Sequence, residues 1–83
     1  MKVTVKYFAS IREAIGRGSE AVETGARSCG QLRDELLARG GAYAQALARG
    51  KSVRIAMDQV MSDESAAIAE GCEVAFFPPV TGG

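Results

Sequence analysis

Apolar and polar positions alternate most clearly near the two ends of the chain. Val3, Val5 and Tyr7 alternate with polar residues in KVTVKY, and Val74 and Phe76 occupy alternate positions of EVAFF. A period of two is the pattern of a β-strand with one buried face. The sequence therefore predicts a first and a last strand whose core sides carry these five residues.

Helical spacing is found between these two strands. Ile11 and Ile15 lie four residues apart before Gly16, which predicts a single short helix that the glycine ends. Ser28 and Gln31 have the spacing of a capping box, in which each side chain bonds a free backbone N–H at a helix start. The main helix is therefore expected to begin there.

The apolar stripe of this main helix is formed by Leu32 and Leu36, one turn apart. The charged residues between them, Arg33 among them, are expected to face water. The double glycine at 40–41 should end the helix by permitting left-handed backbone angles. A short second helix is predicted over 42–48.

The remaining segments indicate further strands. Residues 18–24 are predicted to return as a second strand, and Val53, Ile55 and Met57 alternate as a third. Asp58 and Gln59 indicate a tight turn before one more short apolar segment. The plan is α+β, a β-grasp (ubiquitin-like) fold with a mixed sheet of four to five strands, packed by one main helix plus short helices.

In this fold the first and last strands lie side by side and parallel at the middle of the sheet. Phe8 and Phe77 both occupy the side away from the core, so they are predicted to be neighbours on the outer face and to contact a protein partner. The predicted domain boundaries are 1–78 for the β-grasp domain and 79–83 for a flexible C-terminal tail.

The chain ends on the run FFPPVTGG. Pro78 and Pro79 cannot donate to a sheet ladder and hold φ near −65°, so pairing should stop there and the chain should leave in an extended form. Val80 and Thr81 are β-branched and also favour extension. These four residues are predicted to enter a partner's groove.

Gly82 and Gly83 form a slender tip without Cβ atoms, which can enter a channel too narrow for other residues. The tip carries one functional group, the terminal carboxylate, which is ionised at neutral pH and is a poor electrophile. A partner that uses ATP could convert it into an acyl-adenylate, which then accepts a sulfur nucleophile. A frayed end that happens to carry two glycines is the alternative.

Composition narrows the classes of partner. The 83 residues are 47% hydrophobic and carry 10 basic and 10 acidic side chains, so a basic footprint for nucleic acid is missing. No apolar run approaches a membrane span, and the N-terminus alternates like a strand where a signal peptide would be continuously apolar. We therefore expect one cytoplasmic domain with no nucleic-acid or membrane partner.

Metal chemistry is not expected either. The chain has no histidine, and its two cysteines, Cys29 and Cys72, lie far apart without CxxC spacing. Cys29 could lie in the first turn of a helix, where the helix dipole would favour a thiolate and a sulfur-relay role. We expect instead that both cysteines are small, reduced residues that fill space.

Four segments carry a resemblance to a known family: KVTVKYFASIREAIG, GQLRDELL, AMDQ and EVAFFPPVTGG, in this order. The chain resembles the small, sulfur-carrier subunit of molybdopterin synthase, the MoaD type, over nearly its whole length. The thiamine-pathway carrier shares the Gly-Gly end but usually lacks the FFPPVTGG run. Two departures concern only local contacts, since the family commonly has an acidic residue at Cys72 and an AVNQ-like turn at AMDQ.

The resemblance implies a subunit without catalytic residues or a bound cofactor of its own. A MoeB-type, E1-like adenylyltransferase would use ATP to adenylate Gly83, which then becomes a thiocarboxylate. The tail would insert into the large, MoaE-type subunit within a heterotetramer and give its sulfur to cyclic pyranopterin monophosphate. Two alternatives remain open: a sulfur carrier for thiamine, tRNA thiolation or cysteine synthesis, and a protein modifier joined to lysines through Gly83.

Overall fold

The computed structural model describes residues 1–79. In chain order its elements are β1 (Lys2–Tyr7), α1 (Ala9–Ile15), β2 (Ser19–Glu23), α2 (Cys29–Leu37), α3 (Gly41–Ala46), β3 (Arg54–Met57), β4 (Val60–Ser62) and β5 (Glu73–Phe77). The five strands form one sheet in the order β2-β1-β5-β3-β4. Only the central pair, β1 and β5, is parallel. The predicted α+β plan with its central parallel pair is confirmed.

The core lies between one face of this sheet and the helices. The alternating residues of β1 and β5 are nearly inaccessible to solvent: Val3, Val5, Tyr7, Val74 and Phe76. Leu32 and Leu36 of α2, together with Leu47 after α3, are fully buried in the same cluster. The period-two pattern therefore identified the buried face correctly.

Side-chain capping fixes the start of α2. Ser28 Oγ accepts a hydrogen bond from the backbone N–H of Gln31 at 3.2 Å. Gln31 Oε1 accepts in return from the backbone N–H of Arg27 at 2.7 Å, one residue before the capping serine. Both side chains satisfy free donors as predicted, although the second donor belongs to Arg27.

The main helix ends earlier than the double glycine suggested. α2 stops at Leu37, and the N–H of Gly40 donates to the Leu37 carbonyl at 3.0 Å. Gly40 and Gly41 have φ angles of 73° and 54°, so their left-handed backbone turns the chain directly into α3. The second helix is therefore Gly41–Ala46, in place of the predicted 42–48.

None of the helices within residues 1–79 has the length and apolar character needed to cross a membrane.

Arg33 was expected to face water, and this prediction is wrong. Its side chain is 4% exposed, with Nε donating to the Leu47 carbonyl and Nη2 to the Ala48 carbonyl, both at 2.8 Å. These carbonyls follow the end of α3, where a helix leaves acceptors without intrahelical donors. Nη1 also lies 2.9 Å from Glu64 Oε2. The guanidinium thus ties α2 to the end of α3, which helical spacing within α2 could not reveal.

The hairpin between β3 and β4 matches the predicted turn. Asp58 and Gln59 have φ angles of 50° and 68°, as the two central residues of a tight hairpin turn require. Asp58 Oδ1 also accepts a hydrogen bond from the backbone N–H of Glu73 at 2.9 Å. The turn is therefore fixed against the beginning of β5.

Candidate functional site

The chain leaves the sheet at the end of β5, which is the central strand. Phe77 ends the strand, and the N–H of Phe8, just after β1, donates to the Phe76 carbonyl at 3.2 Å. Pro78 and Pro79 follow and are partly buried. The predicted tip and the residues that lead to it, Val80, Thr81, Gly82 and Gly83, lie outside the described residues. Their roles remain predictions.

The three phenylalanines occupy different environments. Phe76 is fully buried and stacks on Tyr7 with ring centroids 6.4 Å apart. Phe77 lies on the other side of β5 opposite Arg54 of β3 and is partly buried. Phe8 is 46% exposed. Strand alternation therefore correctly separated Phe76, in the core, from Phe8 and Phe77 on the outer side. The pairing register of β1 with β5 places Phe8 and Phe77 at the same end of the central strand pair.

The face of the sheet opposite the helices, here called the open face, continues from the two outer phenylalanines, Phe8 and Phe77. Lys6, Ala75, Ala56 and Met61 are successive neighbours across four strands. Met61 is 59% exposed, and Lys6 pairs with Glu73 at 3.3 Å on the same face. Sequence reasoning missed Met61 as a surface residue, because its position depends on the pairing register set by the Asp58–Gln59 turn.

A polar cluster holds the end of β1 that carries Phe8. Glu20 Oε2 accepts hydrogen bonds from the hydroxyls of Tyr7 and Tyr43, both at 2.7 Å. Arg39 Nη1 lies 3.0 Å from Glu20 Oε1, and its guanidinium stands 4.9 Å from the Tyr43 ring centroid. Burial, followed by the bond to Glu20, raises the pKa of Tyr7 far above its usual value, so Tyr7 stays a hydrogen-bond donor. The cluster joins β1, β2 and α3.

This cluster predicts a loss of stability in acid. Partial burial by itself would raise the pKa of Glu20, but hydrogen bonds from Tyr43, Tyr7 and Arg39 lower it below its ordinary 4.5. A carboxylate whose pKa is lower in the folded state stabilises the fold fully above its unfolded pKa, and this contribution is lost as the pH falls. Stability should therefore decrease below about pH 4.5.

The measurement is thermal unfolding between pH 7 and pH 3 for the wild type and Glu20→Gln. The variant should be less stable at neutral pH and lose less on acidification. Glu13→Gln, on the exposed surface of α1, is the matched control and should keep the wild-type profile. Equal acid sensitivity of wild type and Glu20→Gln would rule out this role.

The cysteines are buried on the core side. Cys29 is the first residue of α2, as the sequence allowed, but it is inaccessible to solvent. Burial, followed by the neighbouring Cys72, raises the pKa of the Cys29 thiol. The thiolate that a place at the helix start would allow is therefore disfavoured at Cys29. The expectation of small, buried cysteines is confirmed for both.

A mixed five-stranded sheet with a parallel central pair, covered on one face by helices, defines a ubiquitin-like β-grasp protein. The model of the ThiS family matches residues 5–83, and the chain therefore belongs to the ThiS family. The molybdopterin synthase sulfur carrier subunit of Haemophilus influenzae is 37% identical over 81 residues, which cover 98% of this chain and 99% of that one. The resemblance drawn from the sequence motifs is confirmed.

Solved structures agree on the fold. A Pyrococcus furiosus protein described as putative molybdopterin converting factor subunit 1 has a TM-score of 0.78 and 29% identity, covering 96% of this chain and 99% of that one. SAMP1 from Haloferax volcanii has a TM-score of 0.77 and 26% identity, with complete coverage of both chains. This chain is thus similar in fold both to a putative converting-factor subunit and to SAMP1, and another structure from Haloferax volcanii is named small archaeal modifier protein 1.

Proposed function

We propose that this protein is the sulfur-carrier subunit of a molybdopterin synthase. Its Gly83 is adenylated by an E1-like, MoeB-type partner that uses ATP, is converted to a thiocarboxylate, and gives sulfur to cyclic pyranopterin monophosphate in the large, MoaE-type subunit. The protein supplies a rigid domain, a partner surface and the carrier end, while the catalytic groups belong to its partners.

The observation that carries this proposal is the place where the chain leaves the sheet. Phe77 and Pro78 lie at the end of the central strand, beside Phe8 and next to an open face without helices. A partner that covers Phe8 and the open face would therefore also receive the segment that follows Pro79. The curated relative's name, a sulfur carrier subunit of a synthase, supports the same arrangement.

The proposed chemistry uses one functional group of the tail, the carboxylate of Gly83. The Gly83 carboxylate attacks the α-phosphorus of ATP, and pyrophosphate leaves. Hydrosulfide delivered by the partner system then attacks the acyl carbon, AMP leaves with its bonding electrons, and the sulfur loses its proton. The product is a thiocarboxylate, in which one carboxylate oxygen has been replaced by sulfur. Because glycine has no side chain, each active site can close around the reacting carbon at Gly82 and Gly83.

Intact-mass measurement tests the carrier role. The protein with its native C-terminus is incubated with ATP, a sulfur source and the adenylating partner. The expected result is a mass gain that corresponds to the exchange of one oxygen for sulfur. The loaded protein, mixed with the large subunit, should convert cyclic pyranopterin monophosphate to molybdopterin. Loading without this conversion would reject the molybdopterin assignment.

The partner surface predicts a measurable effect of Phe77→Ala. A partly buried aromatic at the tail exit should become a central anchor in the complex, so its truncation should weaken binding of the large subunit by about 1–3 kcal/mol. Calorimetric titration measures this change. The free variant should unfold near the wild-type temperature, whereas Phe76→Ala, which empties the core, should unfold far lower. Wild-type affinity of Phe77→Ala would remove Phe77 from the interface.

Protein modification is a second candidate, because SAMP1 is similar over its complete length. In that case the activated Gly83 carbonyl would be attacked by a lysine amine of another protein, and AMP would leave as an isopeptide bond forms. Extracts supplied with ATP and tagged protein would then contain ladders of larger species that resist reducing agents. A sulfur carrier of a different pathway would be loaded with sulfur but would form neither molybdopterin nor ladders.

A further inference from the structure

The exposed side of α1 forms a groove with the segment that leads into β2. Its lining includes Arg12 and Arg17, together with two glycines, Gly16 and Gly18. The groove begins one helical turn from Phe8, whose carbonyl accepts a hydrogen bond from the N–H of Arg12 at 3.2 Å. It is therefore continuous with the proposed partner surface, and it will be called the Arg12 groove.

The side chain of Arg12 lies against the backbone at Gly18. A Cβ atom at Gly18 would stand 3.3 Å from both Cζ and Nε of Arg12, which is closer than ordinary contact. Because Gly18 has no Cβ atom, the guanidinium of Arg12 can occupy this space. The planar guanidinium is pre-organised for paired hydrogen bonds, so an arginine loses less side-chain entropy per hydrogen bond formed than a lysine.

The two arginines differ in their charge partners. Arg17 Nη1 lies 3.4 Å from Glu20 Oε1, at the margin of the polar cluster. None of the ion pairs formed within residues 1–79 involves Arg12. Glu13 also lines the groove and is exposed. Of the two arginines that line the groove, Arg12 is therefore the one without an ion pair among the described residues.

We propose that the Arg12 groove receives a carboxylate side chain of the large synthase subunit, in the same complex that covers Phe8. This inference rests on the proposed function. The planar guanidinium can bind a carboxylate through two parallel hydrogen bonds. A phosphate fits less well, because Glu13 and the negative end of the α1 dipole repel its two charges more strongly than the single charge of a carboxylate. The contact fixes the orientation of the carrier domain while the tail enters the partner.

The test compares two charge reversals in calorimetric binding to the purified large subunit from the same organism. R12E should weaken binding by about tenfold or more, because it replaces a paired guanidinium with a like charge. R27E changes the net charge equally at an exposed site before α2 and should change affinity by less than about twofold. The dependence of affinity on salt should be shallower for R12E than for R27E.

G18A separates the position of Arg12 from its charge. Gly18 does not adopt a positive φ, so alanine is compatible with the backbone, but its Cβ displaces the guanidinium. We expect several-fold weaker binding without a change in net charge, and near wild-type thermal unfolding of the free protein. If R12E and G18A both bind like R27E, the carboxylate contact is wrong.

The outcomes also separate this inference from the proposed function. If the wild type binds the large subunit and R12E impairs only loading by the adenylating partner, the carboxylate belongs to that partner and the inference fails while the function stands. If the wild type does not bind the large subunit at all, both fail. Selective loss of large-subunit binding in R12E supports both.

Discussion

Removal of Gly83 should abolish sulfur loading while leaving the folded domain unchanged. The variant ends on Gly82, so its carboxylate lies one residue, roughly 3.3–3.6 Å, short of the position that the adenylating site must reach. A misplacement of this size prevents attack on the nucleotide phosphate. Within residues 1–79 the last member of the core cluster is Phe76, and we expect loss of the terminal glycine to change the free energy of unfolding by less than about 0.5 kcal/mol.

Loading is measured by intact mass and stability by thermal unfolding of the same samples. Gly25→Ala is a matched glycine change, because a Cβ there meets no atom within 4 Å, and it should load normally. Loading of the truncated protein at the wild-type rate would reject the assignment of Gly83. A large fall in unfolding temperature would show instead that the tail belongs to the folded core.

Arg33→Ala should have the largest effect on stability among the charged residues discussed. The change removes the guanidinium donor of the Leu47 carbonyl and leaves the Ala48 carbonyl with the backbone N–H of Lys51 alone, and it opens a cavity between α2 and α3. We expect a loss of about 2–4 kcal/mol, with a fall in Tm of at least about 10 °C for a domain of this size. Chemical denaturation and thermal unfolding both measure this loss.

Two comparisons isolate the cause of this effect. Arg27→Ala removes an exposed arginine and should cost less than about 0.5 kcal/mol. Glu64→Gln removes the carboxylate opposite Arg33 but keeps both carbonyl bonds, and because Glu64 is 38% exposed its loss should stay below about 1 kcal/mol. If Glu64→Gln costs as much as Arg33→Ala, the ion pair, and not the carbonyl contacts, holds the end of α3.

Sequence patterns were sufficient where a residue's environment depends on its own segment. Strand alternation separated Phe76 from Phe77, capping spacing located Ser28 at the start of α2, and the Asp58–Gln59 pair located the hairpin turn. Each of these features is set by backbone geometry over a few residues. The role assigned to the C-terminal run FFPPVTGG rests on the same local reasoning about strand ending, stiffness and a bare tip, and it stays a prediction.

Other features depended on segments distant in the chain. Arg33 belongs by spacing to the polar side of α2, yet the backbone that follows α3 covers it and supplies carbonyl acceptors. The thiolate that a helix start would allow at Cys29 is disfavoured because burial beneath neighbouring segments raises its pKa. Met61 joined the open face only once the pairing of β4 with β3 was fixed. In each case the deciding contact is made by a distant part of the chain.

The sequence by itself determined the strand faces and the start of the main helix, because local periodicity and backbone preference act within a few residues. The tertiary structure alone decided which charged groups are buried, which thiols are desolvated, and that Met61 belongs to the open face. Burial and charge pairing arise between segments that meet only when the chain has folded, and no local pattern contains that information.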